Sequence, residues 1–112
     1  MAKFLGVMTD ELELTSLKMG SVGSSTITGL GKISQTLTPV SVATVATVEQ
    51  TFTVPGLRVG DQVSISPPGI TLGVAPVCAR VSANNTLAVT FINSTVGALV
   101  PVAGVYQISF VR

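Results

Sequence analysis

The chain has no histidine, no tryptophan and a single cysteine, Cys78. Without histidine the commonest general base and the commonest metal ligand are missing. A Ser-His-Asp or Cys-His arrangement is impossible within one chain. One cysteine excludes an internal disulfide framework. Aromatic residues make up only 4 % of the 112 residues against 46 % hydrophobic, so the core must be built from Val, Ile, Leu and Ala, which suit sheets. Apolar runs of the eighteen or more residues that a membrane-spanning helix needs are absent as well.

Charge is the scarcest commodity. Only 10 % of residues are charged, where an average soluble domain carries about a quarter. Five of these charges fall at or before Lys18. The remaining surface must be Ser, Thr, Gln, Asn and exposed aliphatics, and large weakly polar surfaces mark contacts with other chains. The net charge is +1, and Lys3, Lys18, Lys32, Arg58, Arg80 and Arg112 are scattered. The electrostatic footprint of a nucleic-acid binder is missing. The expected partners are therefore proteins, first of all further copies of the chain, and neither nucleic acid nor a membrane. The opening residues lack the apolar centre and cleavage site of a signal peptide, so synthesis and retention in a reducing cytosol are expected.

What is present is β-pattern. Between Val48 and Pro68 lie two alternating runs around a Gly/Pro turn segment. Val48, Gln50, Phe52 and Val54 share one face, and Val63 and Ile65 oppose Ser64 and Ser66. Period-two alternation bounded by Pro and Gly predicts strands. A bulge or turn is expected near Ala43 to Ala46. Residues 76–82 and 86–92 read as a hairpin through Ala83-Asn84-Asn85, since Asn tolerates positive φ. Pro67 to Gly73 and Asn93 to Gly104 read as loops. In the last strand Tyr106, Ile108 and Phe110 face one way. Thr28 to Lys32, between Ile27 and Ile33, reads as a possible hairpin turn. The sum is an all-β fold, a small antiparallel β-sandwich or barrel of six to seven strands over residues 26–112.

Residues 1–25 differ. Asp10, Glu11 and Glu13 are followed by Gly20, Gly23, Ser24 and Ser25, a flexible joint by composition. The segment reads as an extended N-terminal arm whose Leu12, Leu14 and Leu17 contact a neighbouring subunit or another protein.

Several chemical motifs fail on inspection. Gly29-Leu30-Gly31-Lys32 is not a phosphate loop, because Thr26 and Ile33 stand where Gly and Ser/Thr are needed. It is not a dinucleotide turn either, because Ser34 replaces the third glycine. Cys78 lies mid-strand between apolar neighbours and is expected to be a buried, inert thiol. Asp61, after Gly60, is expected to start or cap a turn. The triplets at Asn84 and Asn93 match the glycosylation pattern by chance. No catalytic, cofactor or metal residue is assigned, and the chain is expected not to be an enzyme.

Three stretches carry a resemblance: Val48-Glu49-Gln50-Thr51-Phe52-Thr53-Val54-Pro55-Gly56-Leu57 running on to Val59-Gly60-Asp61; Ala79-Arg80-Val81-Ser82-Ala83-Asn84-Asn85-Thr86-Leu87-Ala88-Val89-Thr90-Phe91; and Ala103-Gly104-Val105-Tyr106. With Pro67-Pro68 they resemble a group of small β-sandwich virion proteins of tailed bacteriophages, the capsid decoration or cement proteins and related knobs and fibre modules. The resemblance covers about residues 35–112 and excludes the arm. It implies a structural protein that binds the outside of a phage head as an oligomer, a trimer, with the major capsid protein as partner and the virion surface as its location. The alternative it leaves is a tail-fibre, spike or receptor-binding module, for which Tyr106 is the one candidate sugar-stacking aromatic.

Overall fold

The computed structural model describes residues 26–112 and the backbone of Leu17–Lys18. The fold is all-β. Two short strands, β1 (Leu17–Lys18) and β2 (Thr26–Ile27), form a small antiparallel ladder. Six longer ones follow: β3 (Leu30–Leu37), β4 (Ala46–Thr53), β5 (Gln62–Ser66), β6 (Val74–Ala83), β7 (Thr86–Asn93) and β8 (Gly104–Val111). They form two three-stranded antiparallel sheets, β3-β8-β5 and β4-β7-β6. β5 lies beside β6 across the sandwich, whereas β3 and β4 scarcely touch. Strands β5, β6 and β7 follow one another and β8 returns beside β5, which is a Greek key. The two sheets thus approach each other along β5 and β6 and stand apart between β3 and β4.

Alternation builds the core, because successive side chains point to opposite faces. Leu87, Val89 and Phe91 of β7 and Tyr106 and Ile108 of β8 are fully buried and meet between the sheets. Ile33, Phe52, Val63, Ile65 and Phe110 pack around them. The faces expected for β4, β5 and β8 are the observed ones, and the 76–92 hairpin turns at Asn84–Asn85, with Asn85 at φ 63°. Burying a side chain such as Phe91 or Ile108 is worth roughly 2–3 kcal/mol.

Two expectations fail. Thr28 to Lys32 is not a hairpin turn: β3 begins at Leu30 and pairs with β8 along its whole length. Gly31 is there because the Phe110 ring lies over it; a Cβ would come within 2.6 Å of that ring. Cys78 is exposed, not buried. Val77 is the extra residue of a bulge between Pro76 and Cys78, which leaves Cys78 opposite Thr90 on the outer, uncovered face of its sheet. β4 and β5 belong to different sheets, so the Val54–Asp61 segment carries the chain across the sandwich.

Candidate interaction surface

The antiparallel order sends three long connections to one end of the sandwich: residues 38–45 (β3 to β4), 67–73 (β5 to β6) and 94–103 (β7 to β8). None of them contains a charged residue. Their Val96, Leu72, Ile70 and Val45 are the most exposed large aliphatics among the described residues, at 95, 82, 79 and 73 %. Val40 and Val100 add to them, and Ile92 continues the apolar surface onto the sheet beside Ile70 and Leu72. The charged Arg58, Asp61 and Arg112 sit at the opposite end. An uncharged, aliphatic end of this kind marks a candidate protein-contact surface.

These loops are held, not loose. Asn93 is 1 % exposed at the end of β7. Its amide donates to the carbonyls of Val42 (3.0 Å) and Gly97 (2.8 Å). Its Oδ1 accepts from the Thr95 N–H (2.9 Å) and hydroxyl (2.7 Å). One side chain thereby ties two loops, with its bonding capacity met. Gln50 does similar work: its amide pairs with both backbone groups of Val40, at 2.8 and 2.9 Å. Val42 and Leu99 exchange backbone hydrogen bonds between the first and third loops. Gly73 (φ 93°) lets the second loop pack on the third, where any Cβ would collide with Thr95.

Val45 stands at φ 46°, a region that β-branched residues avoid. Its N–H donates to Thr95 (3.1 Å) while its side chain points outward. Holding a valine there carries strain of about 1–2 kcal/mol.

At the other end Asp61 caps its turn as expected, accepting from the Arg58 N–H at 2.9 Å. It also pairs with Arg112 at 2.9 Å, largely buried. Arg112 donates further to the Gly56 carbonyl and lies 4.5 Å from the centre of the Phe110 ring. On the outer face of the second sheet Arg80 reaches across Ala88 to hold Glu49 in a two-pronged pair at 2.8 and 2.9 Å. The hydrogen bond from Arg80 holds the Glu49 carboxyl below the usual carboxylate range.

Leu12 and Leu14 lie outside the described residues, and Leu17 contributes the backbone of β1. Tyr106 is fully buried, and its hydroxyl donates to the Val102 carbonyl at 2.6 Å. It fastens the corner before β8 and offers no surface for sugar stacking. Asn93, buried and bonded, is no glycosylation acceptor. Among the described residues the surface depressions beside β5 are open to solvent, and no three His, Cys, Asp or Glu side chains cluster. The alternation argument missed the apolar end because its residues lie in loops. The signal available was the lack of charge in three Val- and Leu-bearing connections. Compared with models of protein families, with curated proteins and with solved structures, the chain finds no match.

Proposed function

We propose that this protein is a structural virion module, a capsid decoration protein that seats on the outside of a phage head as an oligomer and stabilises the shell. The observation that carries the reading is the rigid, uncharged aliphatic end formed by residues 38–45, 67–73 and 94–103. Loops fixed by Asn93 and Gln50 present Val45, Ile70, Leu72 and Val96 without the ordering cost of a mobile surface. Such a surface suits docking and offers nothing for bond chemistry. A protein that binds only the assembled lattice stabilises it by mass action. The sequence resemblance points to the same role, with the major capsid protein as the surface bound.

The test is a paired substitution, Leu72→Lys with Val96→Asp. Both side chains are solvent-exposed, so the fold should melt within a few degrees of wild type. Occupancy on heads assembled from the capsid protein encoded alongside this chain should fall about ten-fold or more. Unchanged occupancy would overturn the assignment of this end.

A further inference from the structure

The four sheet edges are not alike. β5 has five residues, runs into Pro67-Pro68 and lies against β6. β6 carries Pro76 and a bulge at Val77. Shortness, proline and bulges all protect an edge from pairing with another chain. β3 and β4 have eight residues each, no proline and no bulge, and they flank the open side of the sandwich.

The direction of the free groups on β3 follows from its end. Gly29 and Arg112 exchange both backbone hydrogen bonds, at 2.9 and 2.8 Å. That sets the phase of the ladder: Gly31, Ile33, Gln35 and Leu37 bond to β8, while Leu30, Lys32, Ser34 and Thr36 turn their N–H and C=O groups outward. All four are exposed, and none has a backbone partner on that side among the described residues. Lys32 is exposed and makes no ion pair with any described residue.

We propose that this edge receives the Asp10–Thr15 segment of a second copy as an added strand. The segment reads Asp-Glu-Leu-Glu-Leu-Thr, alternating and free of proline. Added with Leu12 and Leu14 toward the core, it covers half-buried Ile33 and Phe52 at the open side. Glu11 and Glu13 then stand on the outer face, where Lys32 is the lone cation of β3. The chain's own arm is badly phased for this place. β1 pairs Leu17 with Ile27 and Lys18 with Thr26. Carried along β3, that register would set Glu13 opposite Gly31 and Glu11 opposite Ile33, on the core side. A one-residue slip exchanges the faces of a strand, and a strand from another molecule is free to take it. From Leu17 of β1 the extended chain reaches Asp10 over about 24 Å, close to the ~27 Å length of an eight-residue edge. Arm to edge is a head-to-tail contact, which forms rings, threefold among them, where its rotation closes.

This rests on the oligomeric half of the proposed function, and its test is separate from head binding. Two full-length variants are made: Leu12→Asp with Leu14→Asp, which spoils the arm, and Ser34→Pro, which blocks the edge at an N–H not used by β8. By analytical ultracentrifugation the wild type should be an oligomer and each variant a monomer. Mixed one to one they should form a heterodimer, since one supplies the arm and the other the edge. Should Ser34→Pro not fold, charge exchange decides: Glu11→Lys with Glu13→Lys should weaken association about five-fold or more, and adding Lys32→Glu should restore it. A monomeric wild type, an arm variant with wild-type mass, or no rescue by charge exchange overturns the proposal. Failure of the wild-type oligomer to bind heads, with these results intact, would sink only the decoration reading.

Discussion

Asn93 shows how much one buried amide can fix. Replacing it with Ala leaves the Thr95 N–H without its acceptor, while the Val42 and Gly97 carbonyls keep the Leu99 N–H and the Thr95 hydroxyl as donors. Asn93→Ala should therefore cost about 2 kcal/mol in urea unfolding, with an unchanged m-value. Val45 has the opposite sign. Val45→Gly relieves a positive φ and should raise stability by about 1 kcal/mol, while lowering head occupancy by removing an aliphatic contact. Tyr106 is the single tyrosine, so phenolate absorbance reports it alone. Burial pushes its hydroxyl above the ordinary value. The folded state therefore prefers the neutral phenol. That contribution is complete below about pH 10 and is lost as pH rises from there through the folded value. Tyr106→Phe should unfold more readily at neutral pH and show a flatter stability profile above pH 10. Cys78, exposed on the sheet face, should react with a thiol reagent without denaturant.

Among the elements, the two ion pairs separate by burial. Glu49 and Arg80 tie β4 to β6 over Ala88 on the solvent-facing side of the sheet, and such pairs contribute little. Asp61 and Arg112 fasten the β4–β5 crossing to the end of β8, with the Asp61 side chain only 2 % exposed. Asp61→Ala leaves Arg112 and the Arg58 N–H without their partner and should cost about 3 kcal/mol, whereas Glu49→Ala should leave the melting temperature within error. Chemical unfolding of the two variants side by side checks the ranking. Most strands were legible in advance, because Val63/Ile65 against Ser64/Ser66, or Tyr106/Ile108/Phe110 against their neighbours, can satisfy only one pleat. Gly31 was misread because a glycine that admits a ring from the neighbouring strand looks, in sequence, like a glycine that turns. Cys78 was misread because alternation says which residues share a face, not whether that face is covered. The same argument placed Gln50 correctly on the inner face but gave no hint that it clamps Val40.

For the molecule as a whole, the arrangement is polar along its length. The charged pair and the point where the N-terminal segment joins lie at one end; the uncharged loops lie at the other. Association through uncharged aliphatic surface is insensitive to screening and is strengthened by excluded salts. Head occupancy should hold between about 0.05 and 1 M NaCl, a range over which the Debye length shrinks to about 3 Å, and should rise in sulfate. Co-sedimentation at graded salt measures this; steep loss with NaCl would mean that charged groups carry the contact.

Composition and period alone determined the all-β class, the faces of the strands and the scarcity of charge on the surface. These are local or additive properties: each residue contributes its charge or polarity wherever the chain takes it. The order β3-β8-β5 against β4-β7-β6 was decided only by tertiary packing, and with it the gathering of three uncharged loops at one end and the pairing of Asp61 with Arg112. Those facts depend on which distant segments become neighbours, and a pattern that repeats every second residue is the same whichever strand lies alongside.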